Sequence, residues 1–290
     1  MTFKNCLITI LFATFLTGVQ SGCNFINPAE PIPTFFSIDS FATYDSTNKV
    51  GQSYPEVTSV FAYFNGASIG VFELPAKIPV VMDKPGELFF VPGIALNGVT
   101  SYQKGYSLYY STKVSQGPQP GKVVQLNPTT GYRSTLQSNS LLFFEGFDNS
   151  SQFINLNSDT SIVPTNEPEF VFSGARSGLI SVDEAHPFSE SVSTSYFAPQ
   201  LKETFLELNY KNTAEFQVGV SFLLGNQNVV SYYLVGFKSS EIWRKAYIPL
   251  NEVMNLYPGA ERIYIILKST LPEGEQSGNV ALDNIRVIHI

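Results

Sequence analysis

Apolar and polar residues alternate with a period of two along most of this chain. Phe216-Gln217-Val218-Gly219-Val220-Ser221-Phe222 is a clear run, with its apolar side chains on every second position, as a strand with one buried face requires. Val57 to Phe64 is dense in β-branched and aromatic residues and is followed by Asn65-Gly66 and then Ala67 to Phe72. Asn-Gly between two such runs predicts a tight hairpin, because both turn residues must take positive φ. Lys77 to Met82, Glu87 to Val91 and Lys122 to Leu126 add further strands, with an aromatic segment, Tyr102 to Tyr110, between the last two. Gly131 to Ser140 is polar and irregular, and the expected domain boundary lies there.

Nine more runs follow: Leu141–Phe147, Glu169–Phe172, Gly178–Asp183, Glu203–Tyr210, Glu215–Leu224, Val229–Phe237, Glu241–Ile248, Arg262–Lys268 and Val280–Ile290. Turn residues space them as in a two-sheet antiparallel sandwich. In the last run Val280 and Leu282 share one face while Ile285 and Val287 fall on the opposite parity, which predicts a bulge near Asp283-Asn284. Only Asn251 to Leu256 suggests a helical turn. The expectation is an all-β chain with an N-terminal β-sandwich over 34–137 and a C-terminal sandwich over 138–290.

The first residues break this pattern. Lys4 precedes the apolar stretch Leu7 to Gly18, which falls short of the roughly 20 residues that span a bilayer but suits a signal-peptide core. Gln20-Ser21-Gly22-Cys23 then resembles the lipobox of bacterial lipoproteins, Gln20 departing from the usual Leu. The resemblance implies a signal peptide over 1–22 and lipidation of Cys23. Only one other cysteine exists, Cys6, inside the segment to be removed, so acylation rather than a disulfide accounts for Cys23 in an exported chain. The three prolines of Asn24 to Pro33 suggest a stiff tether over 23–33. The implied location is the cell envelope, on the outer membrane, with the membrane engaged through lipid.

Composition narrows the function. Of 290 residues 43% are hydrophobic and 14% charged, which excludes a disordered chain. A formal charge of −7 with no basic stripe argues against nucleic acid as a partner. Two histidines and two cysteines leave little for metal or thiol chemistry. His186 sits with Asp183, Glu184 and Ser189 in one short stretch, but members of a catalytic triad converge from separated elements, and consecutive loop residues rarely do so. No nucleophile elbow or phosphate loop is present, and His289 fits an edge-strand side chain. No catalytic residues are assigned.

Three short segments carry a family resemblance in the second half. Phe144-Glu145-Gly146-Phe147-Asp148 resembles the first strand of the galactose-binding-like jelly-rolls that include many carbohydrate-binding modules; Ser173-Gly174-Ala175-Arg176-Ser177 resembles their early turn, and Val280 to Ile285 their closing strand. In the first half, Gly70 to Ala76 and Phe90 to Gly98 resemble the N-terminal region of Bacteroidota lipoproteins of no assigned activity. The jelly-roll resemblance implies a structural calcium between first and last strands, held by Glu145, Asp148 and Asp283, as the one expected cofactor. It also implies a glycan or another extracellular ligand as partner. Stacking rings and hydrogen-bonding groups point to Trp243, Arg244, Tyr232 and Tyr247 as ligand contacts, with Trp243 placed between Glu241, Arg244 and Lys245. The leading expectation is a non-catalytic binding lipoprotein; the alternatives are an assembly lipoprotein that binds a cell-envelope protein, and a hydrolase.

Overall fold

The computed structural model describes residues 30–44, 49–156, 158–225 and 227–290. The expected signal peptide, Cys23 and most of the tether lie outside the described residues. Among the described residues no helix is long and apolar enough to cross a membrane.

The chain is all-β and forms two sandwiches. The first holds β1 (Thr34–Ile38), β2 (Ala42–Thr43), β3 (Ser59–Phe64), β4 (Ala67–Glu73), β5 (Ala76–Val80), β6 (Gly86–Ala95), β7 (Gln103–Gly105), β8 (Thr112–Gln116), β9 (Val123–Leu126) and β10 (Thr129–Thr130). Sheet β5-β1-β9 faces sheet β4-β3-β6, which β7 and β8 extend, and β10 pairs with β2. Phe36, Ile38, Val60, Ala62, Ile78, Leu88 and Phe90 form the core between them. The Asn65-Gly66 hairpin joins β3 to β4, Phe64 opposite Ala67, with φ of 48° and 83° at its two turn residues.

The second sandwich is the jelly-roll. It holds β11 (Leu141–Glu145), β12 (Phe153–Asn155), β13 (Val163–Thr165), β14 (Ser177–Asp183), β15 (Phe188–Ser193), β16 (Thr204–Asn212), β17 (Phe216–Leu223), β18 (Val229–Phe237), β19 (Ser240–Pro249), β20 (Arg262–Thr270) and β21 (Ser277–His289), with α1 (Asn251–Leu256) between β19 and β20. One sheet runs β13-β14-β21-β16-β19, with β11 also on β21; the other runs β12-β15-β20-β17-β18. Their facing side chains, among them Leu206, Leu208, Val218, Val220, Ile263, Ile265, Leu282 and Val287, are fully buried. The bulge expected in the last strand is present: Glu207 pairs with Arg286 and Asn209 with Asp283, two steps on β16 against three on β21.

Two expectations need correction. Glu169 to Phe172 is no strand; Pro168–Phe170 forms a 3₁₀ turn with proline at its start, where a missing N–H costs nothing. Conversely β15 escapes the alternation rule because its serines point inward: Ser189, Ser191 and Ser193 are buried while Phe188, Glu190 and Val192 take the other parity. His289 is also not on an edge. It is buried on β21, which pairs with strands on both sides, and its ring nitrogens lie 3.0 Å from Asn139 O and 2.8 Å from Ile290 O.

A third core joins the two sandwiches. The outer face of the six-stranded sheet presents Phe205, Tyr247 and Ile288, and the first sandwich covers it with Val50, Ile94, Leu96, Tyr106, Leu108, Tyr109, Tyr132 and Leu136. Thus the aromatic segment Tyr102 to Tyr110 and the polar segment after Gly131 both supply buried tyrosines. Tyr106 packs nearly edge-on against Tyr109, Phe205 and Tyr247, with centroids 4.6, 4.9 and 5.0 Å away. Into this apolar layer project three charges, Glu207, Lys245 and Arg286, each at most 6% exposed. Lys245 Nζ lies 2.5 Å from Glu207 Oε2, which also accepts the Tyr132 hydroxyl at 2.5 Å; Glu207 Oε1 accepts the Tyr106 hydroxyl. The Arg286 guanidinium donates to the Val50 and Gln52 carbonyls at 3.3 and 3.1 Å and lies over the Tyr132 ring.

Burial pushes the Glu207 carboxyl up, but Lys245 and Arg286 beside it outweigh burial and hold it below its usual range. Its contribution to stability is therefore complete above about pH 4.3, the unfolded value, and is lost as pH falls through the lower folded value. Glu207→Gln strands two buried cations, so a urea titration at pH 7 is expected to show a loss of about 3–5 kcal/mol, narrowing as pH drops below about 4.3. If that variant does not fold, Tyr132→Phe removes one donor and is expected to cost about 1–3 kcal/mol. A near-zero cost in both would refute the network's role in holding the sandwiches together.

Candidate functional site

The three segments that carry the family resemblance converge in space. Asp283, 1% exposed beside the β21 bulge, accepts Ser173 N–H, the Ser173 hydroxyl and the Ser177 hydroxyl on Oδ2, at 3.0, 3.0 and 2.9 Å, and Asn284 N–H on Oδ1 at 2.6 Å. Asp148 Oδ1 accepts the Ala175 and Arg176 amides at 2.6 and 3.3 Å. Glu145 takes Phe147 N–H on one oxygen and Gln152 N–H on the other, at 2.6 and 2.5 Å. Asn284 takes a positive φ of 49° at the bulge and Phe147 one of 59°.

These are the three carboxylates at which the resemblance implies calcium. First and last strands are clipped together, but through amide and hydroxyl donors that a cation would have to displace. Among the described residues no three His, Cys, Asp or Glu side chains gather as a metal-binding group, so Glu145, Asp148 and Asp283 are not brought together as ligands.

The clip also places a ring. Ser177, bound to Asp283, accepts the Phe172 N–H at 3.0 Å, which holds Phe172 at the junction of the two sandwiches. There Phe172 stands between Tyr54 of the first sandwich, 5.0 Å away and nearly edge-on, and Trp243 of β19, 5.1 Å away and tilted by 53°. The three rings border an open pocket of about 490 Å³, completed by Thr43, Pro55, Glu56, Asn209, Ile242, Arg244 and Lys245. Glu56 Oε1 accepts Arg244 Nε at 2.7 Å and Nη2 at 2.6 Å, and its Oε2 accepts the Lys245 N–H at 2.6 Å. Asn209, 3% exposed, has a carboxamide oxygen with no hydrogen-bond partner.

Of the four expected ligand contacts, Trp243 and Arg244 meet in this pocket, Trp243 half-buried. Tyr247 does not: it is 1% exposed in the junction core, its hydroxyl 3.1 Å from that of Tyr109 and accepting Glu56 N–H at 3.0 Å, so it has no surface for a ligand. Tyr232 lies on the other sheet, packed on the inner core with its hydroxyl 2.7 Å from that of Tyr257. Sequence reasoning missed Tyr54, Glu56, Phe172 and Asn209. All four come from chain-distant segments, and the only local hint was the shared parity of Trp243 and Lys245 on β19. His186 sits in the exposed turn that carries the chain from β14 in one sheet to β15 in the other, its ring nitrogen 3.2 Å from Asp183.

Fold and site define a two-sandwich β protein with a junction pocket and a jelly-roll second half. No family model matches the chain, and no curated protein matches it. Solved structures similar to about half of it include the CBM22-1 xylan-binding domain of Paenibacillus barcinonensis Xyn10C, at 12% identity and TM-score 0.39, covering 52% of this chain and 94% of that one. Another is TmCBM61 in complex with β-1,4-galactotriose, at 13% identity and TM-score 0.33, covering 50% and 91%. A third is the enzymatically active domain of Bacteriophage CBA120 tailspike protein 4, at 15% identity and TM-score 0.38, covering 58% and 26%.

Burial raises the Asp283 carboxyl to about 6, against the donors from Ser177, Asn284 and Ser173 that pull it down. With an unfolded value near 3.9, this group favours the fold fully below about pH 3.9, and the benefit is lost as pH rises through about 6. The difference in urea midpoint between pH 4.5 and 7.5 is expected to shrink in Asp283→Asn. An unchanged difference would mean that Asp283 titrates normally.

Proposed function

We propose that this chain is a non-catalytic, lipid-anchored binding protein of the cell envelope whose ligand is a glycan held in the junction pocket. The observation that carries the reading is the row Tyr54, Phe172, Trp243 beside the polar pair of Glu56 and Arg244 in one open pocket. Sugar rings offer apolar C–H faces to aromatic rings and hydroxyls to polar groups, and an open pocket that combines both suits them. The signal segment and Cys23 support export and outer-membrane anchoring, with the tether carrying both sandwiches clear of the lipid. A thermal-shift screen against neutral polysaccharides tests the binding role. A native-state ligand at 100 times its Kd adds about 2.7 kcal/mol, a rise of a few degrees. The rise is expected to vanish in Trp243→Ala while that variant stays folded; a rise that persists would move the site elsewhere.

A second reading, a protein partner, is favoured by one surface. On the outer face of the first sandwich Phe61 pairs across strands with Val71 and Val91, and Tyr63 with Phe89. Val71 is 51% and Phe89 39% exposed, and Tyr63, Phe89 and Val91 border a hollow of about 550 Å³ edged by Glu87 and Lys113. Crosslinking on intact membranes with Phe89→Asp tests it: loss of a crosslinked envelope protein supports a partner on this face, and an unchanged pattern rejects it.

A further inference from the structure

The pocket is a joint product of both sandwiches, and apart from Thr43 the part supplied by the first is the strap from Val50 to Glu56. This strap is fastened at both ends to buried groups of the jelly-roll. Arg286 holds the Val50 and Gln52 carbonyls, and the Tyr247 hydroxyl accepts Glu56 N–H. Between those points Tyr54 is set edge-on against Phe172. At the end of the strap both oxygens of Glu56 are spent on β19, one on the Arg244 guanidinium and one on the Lys245 amide.

The charge balance follows from these contacts. The Arg244 guanidinium is neutralised by Glu56. The Lys245 ammonium is turned away into the junction core, where Glu207 takes it. The other residues that line the pocket carry no charge. Building on the glycan reading above, we propose that Glu56 is a positioning residue for the pocket, and that by neutralising Arg244 it selects uncharged sugar chains over uronic-acid polymers. Glu56 itself need not touch the ligand; it fixes the guanidinium and the edge of β19 beside Trp243.

The test uses the full chain in detergent. Binding is measured by calorimetry for xylohexaose, cellohexaose and β-1,4-galactotriose as neutral probes and polygalacturonate as the anionic one. The wild type is expected to bind at least one neutral probe and not polygalacturonate. Glu56→Gln frees a guanidinium, so neutral binding is expected to fall about tenfold or more while polygalacturonate binding appears. Tyr54→Ala, which alters no charge, is expected to weaken neutral binding without admitting the anionic polymer, and it serves if Glu56→Gln fails to fold. Neutral binding that Trp243→Ala abolishes but Glu56→Gln and Tyr54→Ala leave intact would overturn the strap proposal and keep the glycan site. Wild-type affinity for polygalacturonate equal to that for the neutral chains would overturn the selectivity alone. No binding of any neutral probe, or binding indifferent to Trp243→Ala, would overturn the glycan reading itself.

Discussion

The contact on which the rest of this structure depends is the buried carboxylate of Glu207 between Lys245 and Arg286. A charge removed from water is tolerated only when partners replace its hydration, and here both carboxylate oxygens are occupied. One accepts the Tyr106 hydroxyl, the other the Tyr132 hydroxyl and the Lys245 ammonium. The three charges belong to the jelly-roll sheet, and the two tyrosines belong to segments that close over it. Neither side satisfies the group alone, so covering the sheet and pairing the charges are one event.

From the two cations beside that carboxylate, hydrogen bonds run outward to the pocket along two routes. Arg286 reaches Asn284 and the strap carbonyls; Asn284 reaches Ser173; Ser173 and Ser177 converge on Asp283; and Ser177 sets Phe172. On the other side Lys245 reaches the Tyr109 hydroxyl, which meets Tyr247, whose hydroxyl receives the amide of Glu56. Both pocket walls, the ring of Phe172 and the strap with Tyr54, are therefore referenced to the same buried carboxylate. The pocket rests on buried supports, in contrast to a loop that carries only its own contacts.

How much of this could be read from the sequence depends on what each pattern reports. Alternation reports one buried face, so strands such as Phe216–Leu223 and the Asn65-Gly66 hairpin were legible, as was the parity change that became the bulge. β15 was illegible because its inward residues are serines, and Glu169–Phe172 misled because an apolar ending on a short turn reads like a strand. The junction was hidden for a deeper reason. Glu207, Lys245 and Arg286 sit on the outward parity of their strands, where charges ordinarily meet water, and alternation cannot tell solvent from a second sandwich. Trp243 and Arg244 stand out in the sequence because a ring among hydrogen-bonding groups is a local signal, and both line the junction pocket. Their partners Tyr54, Phe172 and Asn209 arrive from three different segments.

Why the junction is built on charge rather than on apolar packing alone follows from what each interaction specifies. Apolar burial stabilises an interface in proportion to area and is tolerant of small rotations. A buried ion pair adds little net stability, because desolvation offsets most of the attraction, yet its hydrogen bonds are satisfied over a narrow range of positions. Tyr106 and Tyr132 can both reach Glu207, and Arg286 can reach two strap carbonyls, in one relative placement of the sandwiches. A pocket whose rings come from both sandwiches, with Tyr54 and Trp243 on either side of Phe172, requires that placement to be fixed. The desolvation cost accepted at Glu207 is the counterpart of a pocket that exists only when the two halves are aligned.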